Sequence, residues 1–323
     1  MPQALRGRIA ANPVTLVDNA GMKIRFTKMQ GAGNDFIVLD ETRGSLGLNR
    51  AHYRFLADRR YGIGADQILS VRPATRLDTD FAYVIHNADG GEVEHCGNGA
   101  RCFVRYVLEQ GLTDKDTIAV EVKRGTIVLQ ARADGLVTVD MGIPAFDSAV
   151  LPFEPQGVAQ RREQQATLWQ LDLSAAGLEP VEAVLLSMGN PHAVLLVPDT
   201  REAQVEAIGR AVQALPAFPA SVNVGFLQVL GRDHARLRVY ERGVGETLAC
   251  GSGACAAVVA GRQLGLLGSR VQVDARGGSL HIEWDGAGSR VMMTGPATTV
   301  YHGEIDLPEF PVLPTDQNEQ FLA

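Results

Sequence analysis

No Cys-x-x-Cys pair occurs among the four cysteines of this chain, Cys96, Cys102, Cys250 and Cys255. Their spacings match no structural zinc site, so no metal is expected, and a thiol–disulfide exchanger would want its resolving cysteine closer. Lysine is scarce as well: Lys23, Lys28, Lys115 and Lys123 are the complete set, and none sits in a convincing phosphate-binding context. Pyridoxal phosphate needs a Schiff-base lysine, which weighs against that cofactor. Basic runs are absent and the net charge is −7, which argues against a nucleic-acid surface. No apolar stretch approaches the length of a membrane span. The opening "MPQALRGRIAANPVTLVDNAG" holds two arginines but no continuous apolar core, so it does not read as a secretory signal. A cytoplasmic protein with no membrane or nucleic-acid partner is expected.

What is present supports a sizeable core. Of 323 residues, 46% are hydrophobic, enough for one large domain or two medium ones, and 35 glycines announce many turns. Residues 1–21 carry no clear period and read as a flexible extension. From Met22 onward, strand-like runs such as "KIRFTKMQG", "TIAVEV" and "LVTVDMG" alternate with turn residues. A short helix is expected near 54–61, and a solvated connection over 152–165. After Cys96, the residues Ala100, Phe103, Val104, Val107 and Leu108 recur at helical spacing, and Gly111 supplies a stop. The second half repeats the plan, and "ACAAVVAGRQLG" reads as a helix apolar on every side, hence enclosed on every side.

The repetition can be checked by subtraction. An offset of 154 carries Cys96 to Cys250, Gly91 to Gly245, Glu92 to Glu246, Gly97 to Gly251 and Asn98 to Ser252. An offset of 156 carries Gly33-Asn34 to Gly189-Asn190 and Gln67 to Asn223. Cys102 and Cys255 have no cysteine counterpart and are expected to be packing residues. Two copies of one unit predict an α/β (α+β) fold of two pseudo-symmetric domains with a site in the cleft between them.

A cysteine at a helix start meets unpaired backbone N–H groups and a partial positive charge, which favour its thiolate and can hold an anion. Two such starts facing one cleft make an anion cradle with a sulfur on either side. Inverting a stereocentre beside a carboxylate needs that arrangement: a thiolate removes the α-proton on one face and a thiol returns a proton on the other. Helix-end N–H groups would steady the charge that develops on the carboxylate.

Five motifs, "KMQGAGNDF", "GIGADQ", "NADGGEVEHCGNGARC", "MGNPHAV" and "YERGVGETLACGSGA", resemble in order and approximate spacing those of the diaminopimelate epimerase family. The resemblance runs from Met22 to about residue 310. Gly91 departs from it, standing where serine is common. It implies cofactor-free interconversion of LL- and meso-diaminopimelate in lysine and peptidoglycan precursor synthesis, and a homodimer. It implies domains of 22–141 plus 295–323 and of 142–294, each a strongly curved sheet or barrel around a central helix. By motif position, Cys96 and Cys250 correspond to the catalytic pair. Gly97, Asn98, Gly251 and Ser252 correspond to the helix starts that hold the reacting carboxylate, and Asn34, Gln67, Asn87, Asn190, Asn223, Glu241 and Arg242 fall at substrate-contact positions.

The residue types suit that task. Arg242 can fork onto a distal carboxylate, and asparagines offer donors and acceptors to an amino acid group. Taken singly, Asn34 or Asn190 after glycine would be a turn residue, and Glu241 with Arg242 a solvated pair. His192 either assists proton transfer, orients Glu241, or is a hydrogen-bonded structural histidine. His86 and His95 read as structural. The rival readings are another two-cysteine racemase of the proline racemase and hydroxyproline epimerase group, a thiol–disulfide oxidoreductase, and a non-catalytic amino-acid-binding module.

Overall fold

The apolar residues of "KIRFTKMQG" make the first strand, β1 (Lys23–Gly31), which buries Ile24 and Phe26 on one face and Met29 on the other. The computed structural model describes residues 22–93, 97–123, 125–147 and 150–309, so the extension 1–21 lies outside the described residues. The first half continues through β2 (Asn34–Asp40), α1 (Arg50–Ala57), β3 (Gln67–Pro73), β4 (Phe81–Asn87), β5 (Glu92–Val93), α2 (Gly97–Glu109), β6 (Thr117–Val122), β7 (Gly125–Ala131) and β8 (Val137–Asp140). A hairpin of β9 (Gln160–Glu163) and β10 (Ala166–Leu171) follows. The second half is β11 (Val181–Ser187), β12 (Pro191–Leu196), α3 (Val205–Gln213), β13 (Asn223–Gly231), β14 (His234–Glu241), β15 (Gly245–Thr247), α4 (Gly251–Gln263), β16 (Arg270–Ala275), β17 (Gly278–Glu283) and β18 (Met292–Gly295), before the last strand β19 (Thr298–Asp306).

Strand pairing repeats as the sequence offset does. In the first half β1 runs antiparallel to β2, β2 parallel to β3, β3 antiparallel to β4, β4 parallel to β6, and β6, β7 and β8 form a meander. The second half reproduces each step with β11, β12, β13, β14, β16, β17 and β18. The outer edge of each half is capped alike, by β19 on β1 and by β10 on β11. The halves meet where β8 pairs antiparallel with β18, with Val139 opposite Met293. Those two residues are 154 positions apart, so a pseudo-twofold axis passes through this pair.

Each half wraps its strands around one helix. α2 packs against β1, β2, β3, β7, β8 and β19, and α4 against β11 to β14 and β16 to β18. Residues Gly253 to Gly261 of α4 are all buried, the enclosure its apolar sequence requires. A single apolar core holds both helices, from Phe103 and Val107 of α2 to Val258 and Val259 of α4. Two smaller cores lie under α1 and α3, at the far side of each sheet. No helix among the described residues is long and apolar enough to cross a membrane.

Two expectations need correction. The short helix spans Arg50–Ala57, earlier than expected, because Asn49 caps it by accepting from the His52 N–H. The segment 152–165 is not simply a solvated connection. Its "QRRE" forms β9 beneath β10, with Arg161 held by Glu163 and Glu182, so backbone pairing wins over polarity.

At the rim of the cleft, the β1–β2 turn of one half touches the β16–β17 turn of the other. Ala32 and Gly33 adopt φ of 53° and 86°, and Gly277 donates its N–H to Leu248 O. A Cβ at residue 277 would lie 2.0 Å from Ala32 O, so the backbones approach as closely as glycine allows. Gly277→Ala is therefore expected to push the turns apart and to cost about 1–3 kcal/mol of stability in urea unfolding. Unchanged stability would mean that the two turns do not meet in solution.

Candidate active site

Cys250 is the N-cap of α4, with φ −116° and ψ 111°, and is 6% exposed. Ser252 Oγ stands 3.6 Å from its Sγ. Behind that hydroxyl runs a chain of amides: Asn190 Nδ2 donates to Ser252 Oγ at 3.2 Å, and Asn190 Oδ1 lies 3.0 Å from His192 Nε2. With the Asn190 amide so directed, its oxygen accepts from a His192 Nε2–H, and Ser252 is left to donate to the sulfur. His192 is 1% exposed, and burial, then the Arg242 cation, drive its pKa down to about 3. It is a neutral donor at any ordinary pH.

Glu241, at the end of β14, faces Cys250 from the other side and accepts from Thr247 Oγ1 at 2.5 Å. Burial raises its pKa, against the lowering effect of Thr247 and Cys250. The Cys250 thiol is itself pushed well above the ordinary thiol range, by burial first and by the Glu241 carboxylate second, while Ser252 and the Gly253 N–H pull the other way. For Cys250 the expectation of a lowered pKa is overturned. The helix end does favour a thiolate, but desolvation beside a carboxylate outweighs it.

Asn223 and Arg242 form the next layer. The Arg242 backbone N–H donates to Asn223 Oδ1 at 2.9 Å, while Asn223 Nδ2 donates to Pro191 O. The Arg242 side chain is exposed, and its Nη1 donates to Ala220 O at 3.1 Å. Parallel pairing of β12 with β13 sets His192 opposite Asn223, which explains why these residues gather at one sheet end.

In the first half, Asn98 at the start of α2 is 2% exposed. Its Nδ2 donates to Asn34 Oδ1 at 3.3 Å and to Ala249 O of the second half at 3.2 Å. Asn34 Nδ2 in turn donates to Asp66 Oδ2. Gln67 and Asn87, paired across β3 and β4, bond each other at 2.8 Å. The buried oxygens Gln67 Oε1 and Asn98 Oδ1 have no hydrogen-bond partner among the described residues. The two helix starts meet over one side chain: a Cβ on Gly97 would fall 2.5 Å from Met293 Cε, and one on Gly251 3.1 Å from Met293 Sδ. Cys96 and His95 lie outside the described residues. Cys102 and Cys255 are fully buried within α2 and α4, and burial pushes the Cys255 thiol up to about 12.

Sequence reasoning passed over three contributors. Asp66 orients Asn34 and acts electrostatically on Glu241. Its place in "GIGADQ", next to Gln67, was the available signal. Thr247 fixes Glu241, and its place in "YERGVGETLACGSGA" was the available signal. Arg101, wholly buried on α2, stands where the duplication places Cys255, and that mismatch was the available signal.

Solved structures with this fold include a phenazine biosynthesis protein of the PhzF family from Bacillus anthracis, with a TM-score of 0.62 at 16% identity, covering 88% of this chain and 99% of that one. A hydroxyproline epimerase from Agrobacterium vitis aligns with a TM-score of 0.58 at 17% identity over 88% and 94% of the two chains. The likeness fixes the class of fold, a two-domain α/β architecture that repeats one unit around two central helices. Sequence narrows it. The model of the family described as Diaminopimelate epimerase matches residues 26–146 and 184–300. The diaminopimelate epimerase of Acidovorax ebreus is 59% identical over 290 residues, 89% of this chain and 99% of that protein. That of Variovorax paradoxus is 58% identical over 294 residues, 90% and 100% of the two. The chain belongs to the diaminopimelate epimerase family and is an isomerase.

The depressed pKa of His192 has a consequence for stability. The unfolded chain takes up a proton near pH 6.5, whereas folded His192 resists until about pH 3, so stability is lost as pH falls through that window. His192→Gln should remove a slope of about 1.4 kcal/mol per pH unit between those limits. Parallel stability curves for the two proteins in urea would contradict the burial of this imidazole.

Proposed function

We propose that the protein interconverts LL- and meso-2,6-diaminopimelate without a cofactor, with Cys96 and Cys250 as the acid–base pair. The observation that carries this reading is Cys250 at the cap of α4, beside an α2 start that Asn98 ties to Ala249. One sulfur, as thiolate, takes the α-proton. The electron pair left on the α-carbon spreads onto the carboxylate, where backbone N–H groups of Gly97, Asn98, Gly251 and Ser252 receive it. The other sulfur releases its proton to the opposite face and keeps the negative charge. The reverse reaction exchanges the roles.

The neighbours divide the remaining work. Ser252, ordered through Asn190 and His192, donates to the Cys250 sulfur when it is charged, so His192 orients and does not carry the proton. Glu241 favours the protonated Cys250. Asn34, Gln67, Asn87, Asn190, Asn223 and Arg242 hold the substrate's amino acid groups, and the free Gln67 and Asn98 oxygens suit ammonium donors. For Arg242 this requires its guanidinium to leave Ala220 O for the distal carboxylate. The same reading divides the chain at 141/142 and 294/295, supported by the return of β19 to β1. It places the enzyme in lysine and peptidoglycan precursor synthesis, in the cytoplasm, as a homodimer.

In heavy water, LL-diaminopimelate should gain α-deuterium, whereas L-lysine, L-glutamate and L-proline should not. Faster exchange into proline would move the assignment to the proline-type racemases. Cys96→Ala and Cys250→Ala should each abolish epimerisation, and Cys102→Ala and Cys255→Ala should retain it with a modest loss of packing. Near-normal turnover by either of the first two variants would end the two-base reading.

A further inference from the structure

Between α1 and β3 the chain makes a tight return over residues 58–66. Asp58 opens it by accepting from the Arg60 and Tyr61 N–H groups, and the N–H groups of Ile63, Gly64 and Ala65 donate back to the Leu56 and Ala57 carbonyls. Two glycines permit the return: a Cβ on Gly62 would fall 1.8 Å from Phe55 O, and one on Gly64, at φ 81°, 2.8 Å from Arg59 Cα. The turn so formed sets Arg59 beside Asp66. Arg59 Nη1 and Nη2 donate to Asp35 Oδ2 and Oδ1 at 2.8 and 2.7 Å, and Nη2 reaches Asp66 Oδ1 at 2.9 Å. Lys28, 8% exposed, donates to Asp35 Oδ2 at 2.7 Å and also to Gly64 O.

Asp35 lies at the start of β2 and Asp66 just before β3, and each side chain holds the other's backbone. The Asp66 N–H donates to Asp35 Oδ1 at 2.8 Å, and the Asp35 N–H to Asp66 Oδ2 at 3.2 Å. Two like charges this close need cations between them. Burial alone would raise the Asp35 carboxyl, yet Arg59 and then Lys28 hold it well below the usual carboxylate range. Asp66 Oδ2 also accepts from Asn34 Nδ2 at 2.8 Å. A carboxylate can only accept, so the Asn34 amide turns its nitrogen to Asp66 and its oxygen to Asn98 Nδ2. The Ala249 carbonyl asks the same orientation of Asn98 from the second half. Asn98 Oδ1 is then left as an acceptor, and so is Oε1 of Gln67, the residue after Asp66. These are the buried amide oxygens without a hydrogen-bond partner among the described residues.

The second half does not inherit this cluster. The offset of 156 that carries Asn34 to Asn190 and Gln67 to Asn223 carries Asp35 to Pro191, Arg59 to Leu215 and Asp66 to Val222. There the amides have neutral partners, Ser252 and His192 for Asn190 and Pro191 O for Asn223. An exposed ion pair adds little to stability, so an arginine with 57% of its side chain exposed is poorly explained by the fold alone. What a bidentate fork supplies is direction. We propose that Arg59 is a positioning residue: by clasping Asp35 and Asp66 it fixes which way the Asn34 and Asn98 amides point, and so presents their acceptor to the substrate's ammonium group. This rests on the reading that Asn34 and Asn98 touch the substrate.

The test is steady-state kinetics on the full chain with LL-diaminopimelate, beside urea unfolding. Arg59→Met should raise KM about tenfold, the loss of one hydrogen bond to a charged group, and change kcat by less than about threefold. Its urea midpoint should stay near that of the unsubstituted protein. Arg59→Lys, which keeps the charge and loses the fork, should raise KM by about threefold. If Arg59→Met does not fold, Arg59→Lys decides by the same readings. Because the effect runs through Asn34, adding Arg59→Met to Asn34→Ala should raise KM no further than Asn34→Ala alone. Equal falls in kcat and kcat/KM for Arg59→Met, or KM effects that multiply in the double variant, would each overturn the proposal. Asn34→Ala separates it from the reading beneath it. If KM rises there and not in Arg59→Met, the proposal alone falls. If KM is unmoved in Asn34→Ala, the substrate role of that amide falls and the proposal with it.

Discussion

The approach of two helix starts over a single methionine is the constraint on which the rest of the structure depends. Met293 lies beside the pseudo-twofold axis, paired across it with Val139, and both Gly97 and Gly251 rest against its side chain. A side chain at Gly97 would displace the methionine's end, and one at Gly251 would press on it. Asn98 then reaches across to the Ala249 carbonyl, joining the α2 start to the residue before Cys250. A carbonyl can only accept, so the Asn98 amide must turn its nitrogen there, and its oxygen is left inward. A hydrogen bond that closes the cleft thereby also fixes what polar character the cleft presents.

Burial sets the chemistry of that junction. Taking a thiol and a carboxylate out of water raises both their pKa values, and Cys250 and Glu241 show it together. The same low dielectric strengthens each remaining donor, so Ser252 and the Gly253 N–H matter more here than they would at a surface. A neutral His192 fits this pattern. A charged imidazole would need a counterion, whereas a neutral one needs one acceptor, which Asn190 supplies. Positive charge at the site comes instead from helix ends and from the Arg242 guanidinium.

Much of the fold was legible because the sequence states it twice. The offset between Cys96 and Cys250 is the offset between Val139 and Met293, and every strand except β9 has its counterpart in the other half. The enclosure of α4 followed from its composition, and the stop at Gly111, where φ is 63°, from glycine's tolerance of the left-handed region. Less legible was whatever depends on distance between segments. "QRRE" is polar throughout, and only pairing with β10 makes it a strand. The N-terminal position of Cys250 was readable, but not its burial or the nearness of Glu241, so the expected direction of its pKa was wrong. The motifs named Glu241 and Arg242 together, yet the chain sends them apart, one carboxylate inward to Thr247 and one guanidinium outward to Ala220.

A duplicated fold makes two equivalent sites, and a reaction that distinguishes proton donor from acceptor must break that equivalence. The breaks fall where they act. At the second residue of each helix, Asn98 stands against Ser252: the amide bridges the halves, and the hydroxyl serves the sulfur. At the fifth, Arg101 stands against Cys255. At the cleft rim, the β1–β2 turn is in backbone contact with the other half, whereas Gly189, its counterpart, has no neighbour within 4 Å of a built Cβ among the described residues. Strand order and helix placement are inherited unchanged by both halves, since the core they share would not tolerate otherwise. Several of the differences sit in side chains and turns around the two helix starts, where they leave the strand order of both halves intact.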